Sequence, residues 1–227
     1  MHSDHNESPF NAIPPVTTAL VLLMAGIEIA FSLGARGLLG GPGAVGWRIG
    51  GIETYGYLGE ITYWMAESGR WPAEHLLRFL SYPFVHGSFT MGLFACVMLL
   101  ALGKIVGEAM GPVRMLAVFV ASSVLGALVY GLIVPNVPLY GAFPAIYGLI
   151  GAFTYLLWTK LGEMGEAQIR AFTLIGVLLG LQLVFGLLFG GGPYWIAEIA
   201  GFVVGFTATI VLVPGGFARL VERLRER

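Results

Sequence analysis

GAFPAIYGLIGA, residues 141–152, opens a long apolar run, and its reading sets the fold. It starts on a glycine, turns through Phe143 and Pro144, and continues without a charge. Proline is accommodated in the first turn of a helix, where its missing N–H would be unpaired anyway. It also drives the preceding residue, Phe143, toward an extended backbone. The stretch reads as a loop-to-helix junction feeding an apolar helix.

The same apolar character fills the chain. Of 227 residues, 57% are hydrophobic and 11% charged, and the mean hydropathy is +0.82. Apolar runs of about 20 residues recur, the length that crosses a bilayer as a helix. The reading is an integral, multi-pass, all-α membrane protein forming a single unit over residues 1–227. The net charge of −1 gives no footing for a nucleic-acid partner. The single cysteine, Cys96, lies in an apolar run and excludes an internal disulfide.

Six spans are expected, at about 16–35, 84–104, 113–134, 144–159, 169–189 and 193–213. Spans three and four are joined by PNVPLYG, five and six by GGGP, both turn chemistry. Between spans one and two lies a long first loop holding Trp47, Tyr55, Tyr57, Tyr63, Trp64 and Trp71. Aromatics among scattered polar groups suit the membrane–water interface. Short helices in the headgroup region are expected there.

The polar N-terminal tail, residues 1–14, lacks the basic start and small-residue cleavage site of a secretory signal, so the first span is expected to be retained. With the N-terminus inside, Lys104, Arg114, Lys160, Arg170, Arg219, Arg223, Arg225 and Arg227 face the cytoplasm. Arg36, Arg48, Arg70 and Arg78 face outward, and this asymmetry places both termini in the cytoplasm. The tail at 215–227 sets Phe217, Leu220, Val221 and Leu224 on one helical face, an amphipathic segment suited to the inner leaflet or to solvent. Glycines recur four apart at 103, 107 and 111, at 176 and 180, at 186 and 190, and at 201 and 205. Such spacing lets helix backbones approach closely.

Three stretches acquire meaning together: RFLSYPFVHGSFTMGLFA (78–95) at span two, GAFPAIYGLIGA at span four and AEIAGFVVG (197–205) in span six. Their order and spacing resemble the rhomboid intramembrane serine proteases, over about residues 78–205. The resemblance implies a six-helix rhomboid-like bundle with a long interfacial first loop, in a bacterial inner membrane. In active members of that family a loop serine at the start of span four is the nucleophile. A histidine on span six is its base, and a histidine and an asparagine on span two hold the oxyanion. The chemistry needs all of them, because a hydroxyl is a weak nucleophile without a neighbouring base and a tetrahedral oxyanion needs fixed donors.

Carried onto this chain, the resemblance is uneven. Gly141, Tyr147, Gly201, Gly205, Arg78 and His86 match family positions. The serine position holds Phe143, the following glycine is Pro144, and the span-six histidine is Glu198. On span two the second polar position is Met91 and the asparagine is Ala95. The resemblance therefore implies a catalytically inactive member, with a phenyl ring filling space a scissile peptide would need.

Glu198 is expected to form a hydrogen bond with His86 or Tyr147, to sit hydrated near the outer mouth, or to serve a ligand or proton. Glu28, in span one, has no partner evident in the sequence. An intramembrane acid is a functional hypothesis by default, and the plainer reading is a hydrogen bond inside the bundle. Ser81, Ser88, Thr90 and Cys96 lie near His86 in sequence, but no donor set accompanies them. His2, Asp4, His5 and Glu7 belong to an irregular tail, and no metal or other cofactor is expected. The leading expectation is a non-catalytic protein that binds membrane proteins through their transmembrane helices, as a subunit, stabiliser or assembly factor in the lipid bilayer. The alternatives are small-solute or proton transport through Glu28 and Glu198, and proteolysis by an altered mechanism.

Overall fold

A computed structural model describes residues 13–189 and 191–213. The expectations for the N-terminal tail through residue 12, its His and acid residues, and the amphipathic tail at 215–227 lie outside the described residues. Among those described, helices α1 (Pro15–Ala35), α5 (Phe89–Met110), α6 (Pro112–Ile133) and α9 (Trp195–Leu212) are long and apolar enough to cross a membrane. The fourth and fifth expected spans fall on α7 (Phe143–Glu163) and α8 (Thr173–Phe189). The first loop folds into short helices, α2 (Trp47–Tyr55), α3 (Gly59–Ser68) and α4 (Ala73–Ser81), as its aromatic and polar composition implied. No strand occurs among the described residues. An isolated antiparallel bridge, Tyr57 with Leu139, ties the first loop to the α6–α7 connection.

Local chemistry fixes the helix ends. The second span begins at Phe89, five residues later than expected from hydropathy. Pro83 falls in a 3-10 turn before it, and the Ser88 hydroxyl caps the helix by accepting the Met91 N–H at 3.2 Å. The fifth span starts with a 3-10 turn at Gln168–Phe172 before α8. At the start of α7 the Ala142 carbonyl accepts the Ile146 N–H at 2.9 Å, which places Phe143 in the first turn. The extended backbone expected at Phe143 is thus replaced by helix.

Helix α7 lies against α5, α6 and α9, and its residues 144–152 are all buried. Glycine makes this possible. A Cβ at Gly201 would stand 2.0 Å from the Pro144 carbonyl oxygen, and one at Gly205 would stand 1.9 Å from that of Gly148. Backbone therefore lies directly on backbone between α7 and α9. Gly103 and Gly107 admit the side chains of Thr17 on α1 and of Pro14 just before it. The pair at 176 and 180 does not behave so, for both positions face open space. Gly111 is used for its conformation, with φ of 90° at the turn between α5 and α6. Of the pair at 186 and 190, the second lies outside the described residues.

Candidate functional site

The junction before α7 is built by two backbone donors. The Gly141 N–H donates to the Tyr82 carbonyl at 2.9 Å, and the Ala142 N–H donates to Nε2 of His86 at 3.4 Å. Gly141 has φ of 90°, a left-handed conformation that glycine adopts without strain. A Cβ there would also lie 2.9 Å from Cε of Met91, so Met91 of α5 closes against the turn. One turn further along α5, Phe94 stacks on Phe143, with ring centroids 6.4 Å apart and planes 22° apart. Ala95 is fully buried. Met91 thus closes on the Gly141 turn, and Phe143 meets Phe94, a residue that the sequence reading did not single out.

His86 is buried at 1% exposure, between the 3-10 turn Tyr82–Phe84 and α5. With Nε2 accepting a backbone N–H, the neutral ring carries its proton on Nδ1, which has no hydrogen-bond partner. Burial pushes the His86 pKa down to about 4, Glu28 opposing and Arg48 reinforcing that shift. The ring is a neutral structural acceptor at physiological pH.

On the other side of α7, the Pro144 contact at Gly201 sets the register of α9, and Glu198 occupies its first turn. Glu198 is buried and accepts a hydrogen bond from Nε2 of Gln182 on α8. It bonds to neither His86 nor Tyr147, which corrects the expected pairing, although Tyr147 lies buried within electrostatic reach of it. An aromatic group covers this end. Tyr194 stacks on Tyr130 at 6.2 Å and meets Tyr140 at 5.7 Å, with the Tyr194 and Tyr140 hydroxyls 3.4 Å apart.

Glu28 makes the helix-to-helix hydrogen bond of its plainer reading, with a partner the sequence did not show. Its partner is Arg48 of α2, which the sequence offered only as an outward charge. The guanidinium donates through Nη2 to Oε1 and through Nη1 to Oε2 at 2.9 Å, while Ser32 donates to Oε1 at 3.2 Å. The same Nη1 donates to the His86 carbonyl at 2.7 Å. No spacing rule links a charge in a span to one in a loop 20 residues on, so sequence reasoning missed Arg48. Gln182 was missed for the same reason. Arg78 holds α4 to the end of α2 by donating to the carbonyls of Glu53 and Gly56, each at 2.9 Å.

Among the described residues no serine, threonine or cysteine hydrogen-bonds to a histidine, and no three His, Cys, Asp or Glu side chains gather as metal ligands. The arrangement is a helical membrane bundle with α7 packed between α5, α6 and α9 and three sequence stretches converging near the N-terminal end of α7. Consistent with that architecture, the Rhomboid domain family matches residues 73–215, and the chain belongs to the rhomboid family. Residues before 73, including α1 to α3, lie outside the matched range. Comparison with curated protein sequences gives no match.

Proposed function

We propose that this rhomboid-family protein does not cleave peptide bonds, and that it binds transmembrane helices of other membrane proteins as a subunit, stabiliser or assembly factor. The observation that carries this reading is the state of the α7 start. Where the resemblance puts a nucleophile, the Phe143 ring stacks on Phe94. The position assigned to the base holds Glu198, which is engaged by Gln182. Proteolysis needs an activated oxygen or sulfur beside a base and a site where an oxyanion meets donors. Here the Ala142 N–H is turned to the His86 ring.

The reading takes the whole chain as one membrane unit crossing six times, α7 and α8 included, with both termini in the cytoplasm of a bacterial inner membrane. Its exposed apolar helix faces are suited to lipid and to the apolar flank of another span. The ion pair at Glu28 favours binding over the transport alternative, because it removes one of the two acids a proton path would use.

The test has two arms. The purified protein, incubated with a serine-reactive fluorophosphonate and with a panel of transmembrane substrates, is expected to show neither labelling nor cleavage. Cross-linking in native membranes, then mild-detergent isolation and mass spectrometry, is expected to recover a specific membrane protein bearing at least one span. Labelling that depends on a residue near α7 would overturn the inactive reading. A protein that emerges alone from cross-linked membranes would overturn the binding one.

A further inference from the structure

Arg48 touches three parts of the molecule that are distant in sequence. Its guanidinium grips Glu28, which is 4% exposed on α1. Its Nη1 also reaches the carbonyl of His86, in the segment leading to α5. The Cζ atom stands 5.4 Å from the Phe31 ring centre, a cation–π contact on the same helix as Glu28. The surrounding surface is shaped for this docking. A Cβ at Gly51 would strike the Phe31 ring at 2.6 Å, one at Gly34 would meet the Ala44 carbonyl at 2.9 Å, and one at Gly92 would meet Glu28 Oε2 at 2.9 Å.

Neutralising Glu28 explains only part of this geometry. A bidentate grip on a carboxylate satisfies the acid and leaves further guanidinium donors free. The donor spent on the His86 carbonyl ties the α1–α2 unit to a segment inside the matched family range. That segment carries the ring that accepts the Ala142 N–H, and the Tyr82 carbonyl that accepts the Gly141 N–H. We infer that Arg48 is a positioning residue: through the His86 carbonyl it holds the Tyr82–Ser88 segment against the Gly141–Ala142 turn, coupling α1 and the first loop to the start of α7. The inference is independent of whether the protein is catalytically inactive.

Two variants of the full-length protein separate positioning from charge neutralisation. Arg48→Met removes both roles and leaves Glu28 buried without its cation. Glu28→Met with Arg48→Met removes both charges together and replaces the pair with apolar volume, a change that buried ion pairs tolerate. Hydrogen–deuterium exchange is read by mass spectrometry in detergent or nanodiscs. Both variants are expected to exchange about tenfold faster over 82–91 and 139–147, the effect of losing one charge-assisted hydrogen bond. Peptides from α6 and α9 keep wild-type protection in the double variant. Arg48→Lys, with one ammonium for two tasks, falls between. Wild-type protection over 82–91 and 139–147 in the double variant would mean that Arg48 only neutralises Glu28. Loss of protection spread evenly over all helices would mean a general structural role. Either result overturns the inference.

Discussion

Gly205→Ala tests the contact that sets α9 against α7. The added methyl would lie 1.9 Å from the Gly148 carbonyl oxygen, 2.5 Å from its carbon and 2.6 Å from its Cα, where ordinary contact begins at 3.4 Å. All three neighbours are backbone, so no rotamer change relieves the clash and the two helices must separate. Overpacking typically costs about 1–3 kcal/mol, and a backbone-on-backbone clash belongs at the upper end. Replacing glycine by alanine in a helix returns about 1 kcal/mol through propensity. The net loss is about 2 kcal/mol. Gly180→Ala is the matched control, because nothing lies within 4 Å of its Cβ position and only the propensity gain remains. The two variants should differ by about 3 kcal/mol, which for a chain of this size corresponds to roughly 6–12 °C in apparent Tm. Thermal unfolding in detergent, followed by circular dichroism at a fixed scan rate, reads that difference. Equal midpoints for the two variants would refute the claim that glycine brings α7 and α9 into backbone contact.

Other outcomes follow from single groups. His86 has a folded pKa of about 4 against an ordinary value of 6.5, so the unfolded chain binds the extra proton between those values. Stability should therefore fall as pH drops from 6.5 to 4, by up to about 3 kcal/mol; titrating unfolding midpoints of wild type and His86→Gln checks that this slope disappears with the imidazole. Glu198→Gln should keep a polar partner for Gln182 and leave stability within about 1 kcal/mol, whereas Glu198→Leu strands a buried amide and should cost about 1–3 kcal/mol. Equal midpoints for those two variants would argue against the Gln182 contact. Arg78→Ala removes two charge-assisted bonds and should destabilise by about 2 kcal/mol; local proteolysis near residues 53–56 should rise with it.

What the sequence disclosed differs by kind of signal. Helices α1 and α6 fall within a residue or so of their expected spans, because long apolar runs ending in Pro, Gly or turn residues have few other readings. The start of α5 was displaced because hydropathy does not register a serine cap. Phe143 and Glu198 were placed on the correct helices, and the Pro144–Gly201 contact brings their neighbourhoods together. The partners of the two buried acids were not legible. Arg48 and Gln182 approach Glu28 and Glu198 only after the chain has folded back, and neither pairing follows a helical period. Glycine spacing was an incomplete guide for a related reason: the same four-residue interval occurs at 201 and 205, pressed on α7, and at 176 and 180, facing open space.

The Pro144–Gly201 contact has an evolutionary consequence. At Gly201 and Gly205 main-chain atoms bring α7 and α9 into direct contact, and that contact is made without the side chains at 143 and 198. Such a frame lets the groups displayed at one spot be exchanged while the frame itself is inherited unchanged. A lineage can abandon a reaction there, or acquire a different task, without passing through a misfolded ancestor.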